Sequence, residues 1–205
     1  MRKLLASLAI TLSVAGLAHA QVQVEEGDPA AGREKAQVCA ACHGITGISP
    51  TPAFPNLAGQ QASYLAKQLV DIREGIRVVP EMAAIVANLS NQDIADLAVY
   101  FASQEPNLGQ ADPELAEQGR QLYRAGDLAK GIPACSACHT ATGQGIGTAK
   151  FPALSGQHPQ YTVSTLKDFA SGERDNDPNA IMRDIASKMS VEQMEAVANY
   201  VYGLH

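Results

Sequence analysis

Apolar residues recur at helical spacing in two segments of the first half of the chain. Residues 60–74 carry one such stripe, and Gly75 marks the end of the predicted helix. Its apolar positions are Leu65, Leu69 and Ile72. Ser90 and Asp93 form a capping box that opens the next predicted helix. The stripe of that helix is Ile94, Leu97, Ala98 and Phe101.

The remaining segments of this half are a predicted first helix and a loop. Asp28 and Pro29 are typical of an N-cap and a first helical residue, so a helix is expected to run toward Gln37. Residues 44–52 are rich in Gly, Pro, Ser and Thr, which favours a loop. No segment has a convincing strand pattern. The pattern therefore predicts an all-α fold.

The second half of the chain repeats the first at a nearly constant offset. The segment F-P-N-L-A-G-Q at 54–60 reappears as F-P-A-L-S-G-Q at 151–157, shifted by 97. The same shift relates Tyr64 to Tyr161, Leu69 to Leu166, Asp71 to Asp168, Gly75 to Gly172 and Arg77 to Arg174. Further on the shift is 100, and it relates Met82 to Met182, Ser90 to Ser190, Ala98 to Ala198 and Tyr100 to Tyr200. Each unit is far longer than a solenoid repeat, so a whole domain is duplicated.

The boundaries of the two units follow from breaks in this pattern. Residues 104–113 hold two prolines, a glycine and few apolar residues, which favours a linker. We expect domains at 21–105 and 113–205 with a linker at 106–112. The second copy has extra residues near 125–133, which are predicted to form a surface loop.

The first twenty residues have the pattern of a secretory signal peptide. Arg2 and Lys3 precede an apolar stretch, and A-H-A at 18–20 is a cleavage site. The alternative is an uncleaved anchor. Removal of 1–20 takes away two basic residues and changes the formal net charge from −6 to −8. Nucleic acid is therefore not expected as a partner.

Each copy contains the motif C-x-x-C-H, first as Cys39 to His43 and then as Cys135 to His139. This is the spacing at which a c-type haem is attached, because two thiols on one turn can form thioethers to the two vinyl groups of one porphyrin. The histidine is then placed to ligate the iron. The motif predicts two covalently bound haem c groups, with Cys39, Cys42, Cys135 and Cys138 as the thioether residues and His43 and His139 as axial ligands.

Three alternatives use the same cysteines. A thioredoxin-like redox pair does not suit helical, strand-poor surroundings. A zinc site of four cysteines would leave the histidine of each copy unexplained. Two disulfides in an exported protein are the third alternative. The doubled motif favours haem.

The second axial ligand decides whether a haem has an open face. Met82 is the only methionine of copy one after the signal peptide, and Met182 has the same register before its capping box. Met189 and Met194 take the places of Leu89 and Ile94, so we expect them in the core. Met82 and Met182 are the predicted ligands. The alternatives are His158, at a helix start, and His205, at the chain end.

The signal peptide, the two C-x-x-C-H motifs, the two F-P-x-L-x-G-Q segments and the helices ending A-V-Y-F and A-N-Y-V resemble the di-haem cytochrome c4 family. The resemblance implies two tandem cytochrome c-like domains, each wrapped around one covalent haem and related by pseudo-two-fold symmetry. It also implies that the carbonyls of Pro55 and Pro152 accept the second ring N–H of the ligating histidines.

The implied function is periplasmic transfer of single electrons between respiratory-chain donors and a terminal oxidase, without catalysis. The implied partners are membrane respiratory complexes, and a peripheral association with the membrane stays open. The alternatives are the cytochrome subunit of a periplasmic dehydrogenase, such as a flavocytochrome sulfide dehydrogenase, and a di-haem enzyme such as a peroxidase. Four repeated polar residues fit either contacts with haem propionates or solvated helix faces, and these are Tyr64, Tyr161, Arg77 and Arg174.

Overall fold

A computed structural model of the chain describes residues 26–205, and this part is helical. It contains no strand, only isolated bridges that pair Asp127 with Ile132 and Ile146 with Phe151. The expected signal peptide lies outside the described residues. Over 26–205 we find no helix with the length and hydropathy needed to cross a bilayer. The all-α prediction is confirmed.

Residues 26–205 contain ten α-helices, which fall into two sets of five connected in the same order. The first set is α1 (Pro29–Lys35), α2 (Ala40–His43), α3 (Ala62–Arg73), α4 (Pro80–Val86) and α5 (Asn91–Ala102). The second set is α6 (Pro113–Ala125), α7 (Ser136–His139), α8 (Pro159–Ser171), α9 (Ile181–Ala186) and α10 (Val191–Tyr202). Short 3-10 turns cover Ala36–Val38, Leu128–Lys130, Gly147–Ala149 and Pro178–Ala180.

The predicted helix starts are present in the structure. The Asp28 side chain accepts a hydrogen bond from the backbone N–H of Ala30, and Pro29 is the first residue of α1. Both capping boxes form, Ser90 with Asp93 on α5 and Ser190 with Gln193 on α10. These contacts occupy backbone N–H groups that have no partner inside the helix.

In each set the first helix crosses the last at a glycine. A β-carbon on Gly32 would lie 2.1 Å from the carbonyl oxygen of Asp96, and one on Gly119 would lie 2.1 Å from that of Ala196. Only glycine permits so close an approach of α1 to α5 and of α6 to α10. Since α3 and α8 pack on the same last helices, each set forms one compact core.

The methionines assigned to the core lie there. Met194 is 3% exposed in the core of the second set, and its counterpart Ile94 is 2% exposed. Met189 packs against the same core, as Leu89 does in the first set. These two assignments are confirmed.

The extra residues of copy two are more than a surface loop. Leu128 is exposed, as predicted, but Ile132 is fully buried in the core of the second set. The backbones of Asp127 and Ile132 exchange two hydrogen bonds of 2.9 Å, which close the segment into a hairpin-like turn. The prediction was wrong for Ile132 because one apolar residue among glycines and a proline gives no periodic signal.

The two sets meet in contacts that exchange equivalent residues. The Gln60 side chain pairs with the backbone of Ala153, accepting from its N–H at 2.7 Å and donating to its carbonyl at 2.9 Å. The Gln157 side chain pairs in the same way with the backbone of Asn56, at 2.8 and 2.9 Å. Since Gln157 and Ala153 are the counterparts of Gln60 and Asn56, these contacts are related by pseudo-two-fold symmetry.

The connection between α5 and α6 is packed against the second set. The Asn107 side chain donates to the carbonyl of Gly156 at 3.1 Å, and the Asn56 side chain of the first set donates to the same oxygen at 2.9 Å. Asp112 and Asn199 exchange two further hydrogen bonds, of 2.8 and 3.0 Å. The connection therefore holds both sets in one arrangement.

Candidate functional site

Each C-x-x-C-H motif folds into a single helical turn. The backbone N–H of His43 donates to the carbonyl of Cys39 at 3.0 Å, and that of His139 donates to Cys135 at 2.9 Å. The four cysteines are free thiols of intermediate exposure, so the disulfide alternative is not adopted in this structure. Burial raises the pKa of Cys39, and it raises the pKa of Cys135 to about 11.

The two histidines are held in one orientation. Nδ1 of His43 lies 2.9 Å from the carbonyl oxygen of Pro55, and Nδ1 of His139 lies 2.9 Å from that of Pro152. A carbonyl can only accept, so Nδ1 must carry the proton, and Nε2 keeps its lone pair. Burial also lowers the pKa of both histidines, which favours the neutral form that ligates a metal. The expected contacts with Pro55 and Pro152 are confirmed.

The loop after each attachment turn is fixed by buried contacts. The Ser49 hydroxyl donates to the carbonyl of Cys42 at 2.7 Å, and the ring of Phe54 lies 6.3 Å from that of His43. In the second set Phe151 lies at the same distance from His139. These contacts fix the position of each proline carbonyl relative to its histidine.

The residue after each histidine has a positive φ angle. Gly44 has φ 72°, and its counterpart Thr140 has φ 68°, which is unusual for a β-branched residue. The Tyr123 hydroxyl donates to the carbonyl of Thr140 at 2.6 Å and holds this conformation. Strain of this kind persists where surrounding contacts over-determine the backbone.

Met82 and Met182 occupy matching positions on the first turns of α4 and α9. Both side chains are half-buried. Met182 packs against the core of the second set, as does Cys135 of the attachment turn. The two methionines thus lie at corresponding helix positions in the two sets.

Apart from His205, the other residues singled out in the sequence lie at the contact between the two sets. Nε2 of His158 lies 3.1 Å from the carbonyl of Ser49, and His205 is exposed at the chain end. Arg174 is only 8% exposed and donates to the hydroxyl of Tyr64 at 2.9 Å. Arg77 donates to Tyr161 at 3.2 Å. The four repeated arginines and tyrosines therefore face the opposite set and are not on solvated helix faces.

The residues of each attachment site fit a covalent haem. Each site offers two free thiols on one turn and a buried neutral histidine whose Nε2 makes no hydrogen bond within residues 26–205. A zinc site is disfavoured because no three His, Cys, Asp or Glu side chains cluster as metal ligands in this part of the chain. The donor set is that of haem c, with sulfur for the porphyrin and nitrogen for the iron.

Two all-helical units, each with one such site, define a c-type cytochrome with two haems. Family models agree, since "Cytochrome c" matches residues 116–205 and "Cytochrome C oxidase, cbb3-type, subunit III" matches residues 28–101. The fold is thus two tandem cytochrome c-like domains, and the cofactors are two covalently bound haem c groups.

Known proteins narrow this class. The chain is 52% identical to cytochrome c4 of Pseudomonas aeruginosa, with both chains covered completely. It matches the crystal structure of reduced recombinant cytochrome c4 from Pseudomonas stutzeri with a TM-score of 0.85 and 48% identity, over 87% of this chain and 100% of that one. A thiosulfate dehydrogenase electron acceptor of Stutzerimonas stutzeri is 40% identical over 80% of this chain and 78% of its own length. The chain belongs to the cytochrome c4 family, and it is an electron carrier.

Sequence reasoning missed the polar residues that join the two domains. Gln60 and Gln157 were visible only as the last letter of a repeated segment, although both make the paired contacts described above. Gln68 and Asn176 are also buried at the contact, and neither is repeated in the other copy. The repetition of the glutamine in both copies was the sequence signal for this contact. A residue that is not repeated, such as Gln68, gives no such signal.

Proposed function

We propose that the protein carries single electrons in the periplasm, from respiratory-chain donors to a terminal oxidase. The observation that carries the proposal is the orientation of His43 and His139 by the carbonyls of Pro55 and Pro152, the same in both domains. Two equivalent sites favour a carrier, because a di-haem enzyme needs one haem specialised for catalysis. We assign domains to 21–105 and 113–205, with a linker at 106–112.

In each domain the proposed haem ligands come from the attachment turn and from a later helix. Cys39, Cys42, Cys135 and Cys138 form the thioethers, and His43 and His139 are the first axial ligands. Met82 and Met182 are the second axial ligands, supported by their matching places on α4 and α9. A haem iron held by both a histidine and a methionine would leave no position for a small reactant.

The bound haem supplies a one-electron couple between ferric and ferrous iron. The protein keeps the geometry of that couple nearly constant. The 2.9 Å hydrogen bonds to the proline carbonyls fix both imidazoles and raise their basicity as ligands. The apolar residues packed on each site favour the less charged ferrous form, as does a methionine ligand. Little rearrangement then opposes transfer.

The periplasmic location is supported by the signal-peptide pattern of residues 1–20. Two thioether-bound haems in an exported chain suit a carrier that meets several redox proteins in one compartment. We expect docking to be transient and to use small patches near the haem edges.

A second candidate is electron acceptance from a dehydrogenase of sulfur compounds. It is favoured by the relative named as a thiosulfate dehydrogenase electron acceptor and by a match, at 30% identity and TM-score 0.76, to a thiosulfate dehydrogenase (TsdBA) from Marichromatium purpuratum. That match covers 85% of this chain and 40% of the other. Stopped-flow reduction of the oxidised protein by a thiosulfate dehydrogenase, compared with its oxidation by a terminal oxidase, separates the two candidates.

The ligand assignment is tested by redox titration of the holoprotein with optical and EPR spectra. Met82→His and Met182→His should each lower the potential of one haem by on the order of a hundred millivolts, within the range of about 0.8 V over which axial ligands act. Met189→Leu and Met194→Ile install the residues of copy one and should leave both potentials unchanged.

Carbon monoxide provides the second arm of this test. Both reduced haems of the wild type should resist carbon monoxide, since neither has an open position. Ready binding at one haem would overturn the carrier proposal. Potentials that move in neither histidine variant would overturn the methionine assignment alone.

A further inference from the structure

The two domains lead into their predicted methionine ligands through segments of different length. Arg77 lies five residues before Met82, whereas its counterpart Arg174 lies eight residues before Met182. The three extra residues of the second copy fall between α8 and α9, directly before the helix that carries the methionine. Although Met82 and Met182 occupy matching helical turns, the chain reaches those turns by two different routes.

In the first domain this route is free of backbone strain. Val79 precedes α4 with φ −138° and ψ 89°, and Pro80 is the first helical residue. The backbone N–H of Met82 donates to the carbonyl of Val79 at 3.0 Å. None of residues 76–86 has a positive φ angle. The methionine of this domain is therefore positioned by ordinary helix geometry, with a proline suited to the first helical position.

In the second domain the route passes through a left-handed turn. Asn179 has φ 56° and ψ 24°, and Ala180, next to it, has φ 56° and ψ 26°. Ala180 directly precedes α9, and Met182 follows two residues later. Asparagine tolerates the left-handed region, but the β-carbon of an alanine crowds the following carbonyl oxygen there. The turn before Met182 is therefore strained.

An ion pair across the turn holds this conformation. The Asp177 carboxylate accepts from the backbone N–H of Arg183 at 3.0 Å through one oxygen, and from Nε of Arg183 at 2.8 Å through the other. Asp177 lies before the two left-handed residues and Arg183 directly follows Met182, so the pair spans both. The side chain of Asp177 is only 4% exposed, so water has little access to these charge-assisted bonds.

The strain and the ion pair act against each other. The counterpart of Arg183 is Ala83, whose side chain cannot bond a carboxylate, and the turn before Met82 is not strained. Backbone strain persists where surrounding contacts over-determine it, and it is released when those contacts are lost. If the ion pair opens, the backbone at Ala180 can rotate to a negative φ, which redirects the first turn of α9 and moves Met182.

We propose that Asp177 and Arg183 are positioning residues for Met182, and that their ion pair keeps this methionine from leaving the second haem. The inference rests on the proposed assignment of Met182 as an axial ligand. It follows that the methionine of the second domain can be released without disturbing that of the first, although the two haem sites have the same types of ligand.

Imidazole titration of the oxidised holoprotein measures how easily the methionine leaves. Imidazole competes for the position on the iron that the methionine holds, so its apparent affinity is proportional to the equilibrium constant for methionine release. Binding to the second haem is isolated in a Met82→His background, in which a histidine replaces the methionine of the first haem. Loss of the methionine is followed in the near-infrared band of sulfur-ligated ferric haem.

The ion pair is removed by Asp177→Ala and by Arg183→Gln. Loss of these charge-assisted bonds should raise the imidazole affinity of the second haem on the order of tenfold. Lys188→Gln is the matched control, because it removes the ion pair of Lys188 with Asp184, which is more exposed and lies beyond the methionine. This control should leave the affinity unchanged. Arg183→Lys keeps the charge and should restore part of the wild-type value.

Ala180→Gly tests the strain with a variant that we expect to be stabilised. Glycine adopts a positive φ without a steric cost, so the methionine-bound form no longer carries the strain. The imidazole affinity of the second haem should fall below that of the wild type on the order of fivefold. Added to Asp177→Ala, the same change should reverse part of the increase in affinity.

Unfolding in denaturant separates a positioning pair from a merely structural one. A merely structural ion pair would lower the free energy of unfolding when it is removed, and it would leave imidazole binding by the folded protein unchanged. Haem content, measured by mass spectrometry, checks that each variant carries both haems.

Two results would overturn the inference. One is an imidazole affinity in Asp177→Ala and Arg183→Gln equal to that of Lys188→Gln. The other is an affinity in Ala180→Gly as high as that of the wild type. The ligand assignment is tested separately by the potential of Met182→His, and an unchanged potential there would overturn the assignment and this inference with it.

Discussion

The paired glutamines predict how strongly the two domains are coupled. Gln157→Ala removes two hydrogen bonds to the backbone of Asn56, of 2.8 and 2.9 Å, both buried. Each lost bond leaves a backbone group without its partner at a cost of about 1–3 kcal/mol. We expect Gln157→Ala to lower the free energy of unfolding by about 2–6 kcal/mol, where partial entry of water sets the lower value.

Gln60→Ala is the symmetry-related change at a less buried position. Its two bonds to Ala153, of 2.7 and 2.9 Å, are partly exposed, so water can replace them more easily. The expected loss is about 1–2 kcal/mol. Gln121→Ala removes an exposed bond to Glu117 and should stay within about 0.5 kcal/mol of the wild type.

The assay is unfolding of the holoprotein in guanidinium chloride, followed by helical circular dichroism and by haem absorbance. The wild type should give one transition with both probes. The Gln60→Ala/Gln157→Ala double variant should give two transitions. A domain of this size is stable by only about 5–15 kcal/mol, and the contact contributes a large part of the coupling between the domains. A Gln157→Ala protein as stable as Gln121→Ala would refute the reasoning.

Two further changes test the local structure. Thr140 shares the positive φ of Gly44, so Thr140→Gly should raise the free energy of unfolding by about 1 kcal/mol. Gly44→Thr should lower it by more, because the added β-carbon would lie 2.2 Å from the carbonyl oxygen of Ile48. Denaturant unfolding measures both variants, and a Thr140→Gly protein less stable than the wild type would contradict this explanation. Hydrogen bonds from the backbone of Asp28 and from Lys35 lower the pKa of Asp96 from 3.8 to about 2, so its stabilisation is complete above about pH 4 and is lost as pH falls toward 2. Asp96→Asn should therefore have a lower free energy of unfolding at neutral pH and lose less of it on acidification, as followed by circular dichroism. If the stability of the variant fell between pH 4 and pH 2 as steeply as that of the wild type, this explanation would be wrong.

Local chemistry explains most of what the sequence predicted correctly. The capping boxes at Ser90 and Ser190 need only residues three positions apart, and they formed as expected. Short motifs likewise predicted the attachment turns, and fixed offsets predicted the duplication. The contact of His43 with Pro55 required the family resemblance, because nothing in the spacing specifies which carbonyl accepts.

The sequence did not predict the short helices or the contacts between the domains. Helices α4 and α9 have seven and six residues, fewer than two full turns, so no apolar stripe reveals them. Ile132 and Gln68 are buried by neighbours far along the chain. The pairing of Arg77 with Tyr161 depends on how the domains dock, which no local pattern encodes.

Duplication explains why the domain contact is both symmetric and uneven. Across a two-fold axis each repeated residue makes the same contact from both domains, so Gln60 and Gln157 join the domains with equivalent hydrogen bonds. Gln68 breaks this rule, since its counterpart is Thr165, and the arginines of both domains therefore meet on the side of the first. Lys67, which is ion-paired with Asp71, also lies there, and its counterpart is Ser164. The contact between the domains is therefore a place where two otherwise alike copies differ in polar and charged side chains.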